Sequence, residues 1–229
     1  MKLSPTTLLL FLTHLSSLAL STSTCDPSTL NTTTSLYAVT ATDTIFSIAA
    51  ATARGVCDIA RANRMPDAQY IDVGFTLIIP AQTCTPDNNS CLLVAPAANS
   101  TSTCVAGGPH TYTTVRNDTL ALIATKFNLA TSVVAALPSA GNVSSIDEII
   151  TAGTIVKLPQ CAPSTCTVMP YKFTYGTYKD LAEEFNTTVG QIFGFNTGYR
   201  FSDASDAAAP VLTMPMGCKV GAGNVTVIS

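Results

Sequence analysis

The chain has 229 residues, 11 Lys or Arg against 14 Asp or Glu, 47% hydrophobic and 11% charged residues, eight cysteines and no tryptophan. Such apolar content at so low a charge density excludes an intrinsically disordered chain. A formal net charge of -3, with the few basic residues scattered from Arg54 to Lys219, excludes nucleic acid as a partner because no basic field exists to hold a phosphate backbone.

Residues 1–21 read as a secretory signal peptide. Lys2 precedes an apolar run over 8–20, and small residues follow at Ala19 and Ser21. Thr13, His14, Ser16 and Ser17 interrupt the run, which is too short to span ~30 Å of hydrocarbon, and no later stretch suits a membrane. In a secreted chain, Cys25, Cys57, Cys84, Cys91, Cys104, Cys161, Cys166 and Cys218 are expected to pair as disulfides. No close CxxC or CxH spacing is present, so neither a metal site nor a cofactor is expected. Secretion also gives meaning to the Asn-x-Ser/Thr sequons at Asn31, Asn88, Asn99, Asn117, Asn142, Asn186 and Asn224, predicted sites of N-glycosylation.

Three segments then repeat one pattern. The first, 35–84, opens with a strand over 37–40 and the polar turn Thr42-Asp43-Thr44. Ile45, Ile48 and Ala49 follow at helical i, i+3, i+4 spacing, then a second helix over 56–62, a turn at Gly74, and a strand over 76–80 before Cys84. Residues 85–103, rich in Pro, Asn, Ser and Ala, read as a linker. The second repeat, 110–161, has a strand over 112–115, the turn Asn117-Asp118-Thr119, and a helix face of Leu120, Ile123 and Ala124. A helix over 132–137, Gly153 and a strand over 155–159 lead to Cys161. Only 162–167 separates it from the third repeat, 170–218. That repeat has a strand over 171–174, the turn Tyr175-Gly176-Thr177 and a helix face of Tyr178, Leu181 and Ala182. Its second helix, over 189–195, opens on the capping box Thr188-Val-Gly-Gln191, and its last strand covers 211–215 before Cys218. Asp43 and Asp118 are the expected N-caps, and the proline closing each last strand is expected to end the ladder because it has no N–H. The short second spacer predicts that repeats two and three pack together. Modules of about 50 residues have little core of their own, which the disulfides offset. The fold class is therefore α+β: three small βααβ modules, each a two-stranded antiparallel sheet with two helices.

A repeat of this size with Tyr-x-Val, an Asp-Thr-aliphatic turn, Ile-Ala in the first helix and a closing Ile-Ile-Pro strand resembles the lysin motif, LysM. Three copies behind a signal peptide, with cysteines around and between them, resemble the secreted fungal LysM effectors, and Thr85-Pro-Asp-Asn-Asn-Ser-Cys91 is similar to the linker of that group. The resemblance implies binding of chitin and chitin oligosaccharides, oligomers of N-acetylglucosamine. It implies a virulence role, either sequestering chitin fragments from host immune receptors or shielding wall chitin from chitinases, in the fungal wall or the host apoplast. Recognition of peptidoglycan and a wall-associated structural glycoprotein are the alternatives, and self-association on ligand is left open.

In the family, sugar lies between the loop joining strand one to helix one and the loop joining helix two to strand two, held largely by backbone groups. Carried over, module one offers Asp43, Thr44, Ile45 and Phe46 opposite Asp67, Ala68, Gln69, Tyr70 and Ile71. Module two offers Asp118, Thr119, Leu120 and Ala121 opposite Asn142, Val143, Ser144 and Ser145. Module three offers Gly176, Thr177, Tyr178 and Lys179 opposite Tyr199, Arg200, Phe201, Ser202 and Asp203. Sequons Asn117 and Asn142 stand on both loops of module two, so the tight site is expected to use modules one and three. Antiparallel pairing of first and last strands brings the cysteines flanking each module together, which pairs Cys104 with Cys161 and Cys166 with Cys218. How Cys25 and Cys57 pair with Cys84 and Cys91 stays open. No enzyme is expected. His110 stands alone once His14 leaves with the signal, no Gly-x-Ser-x-Gly or HExxH occurs, and Asp180, Glu183 and Glu184 read as a solvated helix face rather than a glycosidase pair.

Overall fold

A computed structural model describes residues 25–97, 101–137, 143–199 and 208–228. The expected leader over 1–21, Asn99, Asn142, and Arg200, Phe201, Ser202 and Asp203 lie outside the described residues.

Each repeat folds as strand, helix, helix, strand. In the first, β1 (Ser35–Ala38) pairs antiparallel with β2 (Thr76–Ile79), and α1 (Ile45–Thr52) and α2 (Val56–Ala62) connect them. After the short β3 (Val105–Ala106), the second unit comprises β4 (Thr111–Thr113), α3 (Leu120–Phe127), α4 (Thr131–Ala135) and β5 (Ile155–Lys157), with β4 antiparallel to β5. Then come β6 (Gln160–Ala162) and the third unit: β7 (Ser164–Lys172), α5 (Tyr178–Glu184), α6 (Val189–Phe195) and β8 (Val211–Val220), with β7 antiparallel to β8. The last strand, β9 (Thr226–Ile228), folds back antiparallel onto β6, while β3 lies parallel on the other edge of β6. That three-stranded patch was not expected from the repeat pattern.

In units one and two the first helix starts one residue later than expected. Thr44, Thr119 and Thr177 are the N-caps, each hydroxyl accepting the N–H three residues on. Asp43 and Asp118 turn backward instead, where they accept the Thr40 and Val115 N–H groups at 2.8 and 2.7 Å. The aspartate closes the turn and leaves the cap to threonine. Proline does not end the third ladder either, since β8 passes through Pro215, paired with Val168, and runs on to Val220. In a two-stranded sheet each strand is an edge, so the missing N–H can face away from the partner. The spacer before unit three is correspondingly the first part of β7. Gly74 and Gly153 take φ of 89° and 90° at the turns into β2 and β5, a region costly for a side chain.

Units two and three share one core, in which Tyr112, Ile123, Phe127 and Val156 of unit two meet Phe173, Tyr178, Ile192 and Phe193 of unit three. Unit one has its own core of Ile45, Ile48, Ile59 and Leu77, which Cys91 and Leu92 of the linker complete. Gly190 permits the close approach of α6 to α3, because a Cβ there would overlap the Phe127 ring. In units one and three a C-cap asparagine locks the second helix to the last strand. Asn63 donates to Ile78 O and accepts from Ile78 N, both at 2.7 Å, and Asn196 does the same with Thr213 at 2.9 and 2.7 Å. Unit two has Ala136 at its C-cap.

The disulfides are Cys25–Cys84, Cys57–Cys91, Cys104–Cys161 and Cys166–Cys218. The pairing left open in unit one is thus resolved: one bond closes the unit and the other fastens α2 to the linker.

Candidate functional site

In unit one, the first loop is fixed by Asp43, whose carboxylate takes the Thr40 N–H and hydroxyl at 2.8 Å and the Tyr37 hydroxyl at 3.1 Å. The Thr40 backbone bond, with the Thr40 hydroxyl, holds the Asp43 carboxyl below the usual aspartate range. Ile45 points into the core, whereas Thr44 is exposed and Phe46 is 45% exposed, high for a phenylalanine. In the second loop Ala68 is buried, Asp67 accepts the Gln69 N–H at 3.0 Å, Gln69 is exposed, and Tyr70 and Ile71 are half-buried. Thr44, Phe46 and Gln69 therefore offer side chains to solvent, while Ile45 and Ala68 contribute backbone only. Phe46 also lines a cavity of about 450 Å3 with Ala49, Ala50 and Pro86.

Unit two differs. Asp118 is fully buried in an ion pair with the equally buried Lys126, at 2.7 Å. It also accepts the Tyr112 hydroxyl at 2.7 Å, and the Lys126 ammonium lies 4.8 Å from the Phe193 ring centroid. Asp118 and Leu120 thus have no side-chain surface for a ligand. The two loops also bond to each other: Ala121 N–H donates to Ile146 O at 3.0 Å, and Ile150 N–H to Asp118 O at 2.8 Å. Ser144 is tied to Glu148 at 2.7 Å, Ser145 is exposed, Thr119 and Val143 are half-buried, and Val143 packs on the core. The group equivalent to Ala121 N–H in unit one is Phe46 N–H, and among the described residues it makes no such bond across the loops.

In unit three, Gly176, Thr177 and Tyr178 are buried. Tyr178 donates its hydroxyl to Tyr199 O at 3.1 Å, and burial pushes its phenol well above the ordinary range. Lys179 is half-buried and pairs with Glu183. This loop is drawn onto unit one. Gly176 N–H donates to Arg61 O at 3.1 Å, and the half-buried Tyr199 donates its hydroxyl to Arg64 O at 2.9 Å. The Arg61 guanidinium grips Asp180 from two nitrogens, at 2.7 and 3.1 Å, and reaches Asp87 and Ser90 of the linker at 2.7 Å. Burial would raise both carboxyls, but hydrogen bonds from Arg61 and their own turns hold Asp87 and Asp180 below the ordinary value, and Asp180 foremost raises the guanidinium in return.

Asp180 is accordingly not part of a solvated acidic face, a correction to the sequence reading, while Glu183 and Glu184 are exposed. It closes the capping box on Thr177 and anchors the contact between units one and three. The signal Thr177-x-x-Asp180 stood in the sequence. Arg61, Lys126 and the Arg116–Asp72 pair between units two and one, at 2.7 Å, carried no pattern to single them out. Among the described residues no His, Cys, Asp and Glu group could hold a metal.

Small strand–helix–helix–strand units, stapled by disulfides and presenting backbone-rich loops, define a modular, disulfide-stabilised α+β protein. Residues 37–80 match the family model described as LysM domain. Over 205 residues the chain is 52% identical to Secreted LysM effector LysM13 of Penicillium expansum, covering 89% of this chain and 87% of the relative. It is 37% identical over 193 residues to Secreted LysM effector ECP6 of Passalora fulva, with 83% and 79% covered. Over 123 residues it is 33% identical to Secreted LysM effector ELP2 of Colletotrichum higginsianum, with 54% and 65% covered. The chain belongs to the LysM effector family.

Proposed function

We propose that the protein is a secreted, non-enzymatic binder of chitin oligosaccharides with three LysM modules, over 35–84, 110–161 and 170–218, and that modules one and three form the tight site. It acts by sequestering chitin fragments from host receptors or by shielding wall chitin. Family membership over most of the chain supports the sugar class. The observation that carries the choice of modules is the contrast between loops: those of module two are bonded to each other, whereas modules one and three are pinned together at Arg61 and Arg64. Each backbone bond to an acetamide contributes about 0.5–1.5 kcal/mol net, so tight binding needs several subsites, and two modules holding one chain supply them through effective concentration. Low charge and the absence of tryptophan suit a neutral polymer read through its amides.

Calorimetry with chitin oligomers of increasing length tests the reading. Phe46→Ala is expected to weaken chitohexaose by about tenfold, ~1.4 kcal/mol, and Ile146→Asp on the closed loop of module two to leave it unchanged. The opposite pattern refutes the choice of modules. Binding of peptidoglycan fragments without chitohexaose refutes the sugar class, and shortening of chitohexaose on incubation refutes the non-enzymatic assignment.

A further inference from the structure

A pocket of about 220 Å3 lies where the second loop of unit one meets the first loop of unit two. Asp67, Gln69 and Tyr70 line one side, Arg116 and Asn117 the other, and Phe193 of α6 contributes from unit three. The Arg116–Asp72 pair ties the two sides together. Ligand sites for drug-sized molecules measure about 300–1,000 Å3, so this one suits a single sugar ring rather than an oligomer. An aromatic ring flanked by an amide, a carboxylate and a guanidinium matches a ring bearing hydroxyls and an acetamide.

Asn117 opens the sequon Asn117-Asp118-Thr119 and is exposed. Its φ of 65° is a left-handed conformation that asparagine tolerates. Among the described residues no hydrogen bond engages its side chain. Among the other described sequon asparagines, Asn88 Oδ1 accepts the Val56 N–H at 3.1 Å and Asn31 Oδ1 the Thr33 N–H at 2.9 Å, while Asn186 and Asn224 share the open side chain of Asn117 but not its place beside Asp67, Gln69 and Tyr70. A free amide therefore borders a sugar-sized pocket.

We propose that Asn117 carries an N-linked glycan whose first N-acetylglucosamine occupies this pocket, so that the root of the protein's own glycan is an internal ligand joining units one and two. In the modification, Asn117 Nδ2 bonds to C1 of the first sugar of a lipid diphosphate-linked oligosaccharide. The C1–O bond to the diphosphate breaks, the lipid diphosphate leaves with the electron pair, and the amide nitrogen loses one proton. The inference rests on the proposed secretion and sugar class, since the two innermost residues of such a glycan are β1,4-linked N-acetylglucosamine, the repeating link of chitin. This sugar is held by a covalent bond against Asp67, Gln69 and Tyr70 of module one, so it takes up that side of the second loop and leaves Thr44 and Phe46 as the side chains module one offers to a scavenged fragment.

The test uses the full protein secreted from a yeast host. Native release of glycans by peptide-N-glycosidase is followed by mass spectrometry at Asn117 and at the exposed Asn224. Release at Asn117 is expected to be about tenfold slower, ~1.4 kcal/mol of shelter, and Tyr70→Ala is expected to equalise the two sites. An unmodified Asn117, or equal rates in the parent protein, overturns the inference. Chitohexaose calorimetry on the same sample keeps the two readings apart. A sheltered glycan without chitin binding refutes the proposed function alone, and chitin binding with a freely released glycan refutes the internal ligand alone.

Discussion

Arg61→Ala removes the side chain that joins α2, the linker and α5. Arg61, Asp180 and Asp87 have side chains 18%, 27% and 31% exposed, between a buried and a surface pair. Hydrogen bonds to charged groups contribute about 1.5–3 kcal/mol, and exposed pairs about 0.2–1 kcal/mol. Neither aspartate is stranded by the change, because Asp180 keeps the Thr177 N–H and hydroxyl and Asp87 keeps the N–H groups of Asn89 and Ser90. The heavier penalty of an orphaned buried charge does not apply, and a loss of ~2 kcal/mol is expected. For a chain of this size that corresponds to a fall in Tm of ~4–8 °C. Differential scanning calorimetry reads the shift, and hydrogen exchange locates it in unit one. Arg61→Lys keeps charge but not the fork and is expected to fall between. Both carboxyls are held below the ordinary aspartate value of 3.8, so their contribution is complete above it and lost as pH falls through the depressed folded values. The difference between parent and Arg61→Ala should therefore persist at pH 5 and shrink only in stronger acid. An Arg61→Ala protein with unchanged Tm and unchanged exchange in unit one refutes the clamp.

Lys126→Ala removes the partner of the fully buried Asp118, and a loss of about 3–5 kcal/mol in denaturant unfolding is expected. The double replacement Lys126→Met with Asp118→Leu should recover part of it, limited by the Val115 N–H that loses its acceptor; a double variant as unstable as the single one refutes the account. Gly190→Ala gains about 1 kcal/mol of helix propensity but forces a methyl into the Phe127 ring, so a net loss within about 1–3 kcal/mol is expected, and a gain in the same assay shows that the helices are not in contact there.

Hydrophobic spacing revealed the units, because Ile45, Ile48 and Ala49 and their counterparts repeat at one register and pack inward. Val56–Ala62 and Val189–Phe195 were legible as well, the latter from its Thr188–Gln191 capping box. What stayed hidden was tertiary. Asp43 and Asp118 occupy like positions in like turns, yet Asp43 is half-buried while Asp118 is fully buried against Lys126, whose place in α1 is held by Ala51 and whose ammonium is covered by the ring of Phe193 from another unit. The N-cap was misplaced by one residue because Asp and Thr both suit that position, and only the direction of the carboxylate decides. For the site, the loops were readable as segments but their partners were not. Nothing near Arg61 in sequence announces Asp180, 119 residues away. Asn63 and Asn196 did carry a readable signal, an amide at the same place after two second helices.

The division of the interior has a consequence for how such proteins diversify. Unit one keeps most of its apolar residues to itself and to its linker, so a recombination point near residue 98 would transfer it with its interior intact, while the recipient would have to supply partners for Arg61, Asp72 and the Arg64 carbonyl and a seat for Leu93. Units two and three offer no such point. A break between β6 and β7 would split one interior in two, and exchanged halves would have to match at Phe127, Gly190 and Phe193 together. Substitutions at those three positions should therefore be inherited as a set, while unit one remains free to drift in its own interior and to vary the loops it presents.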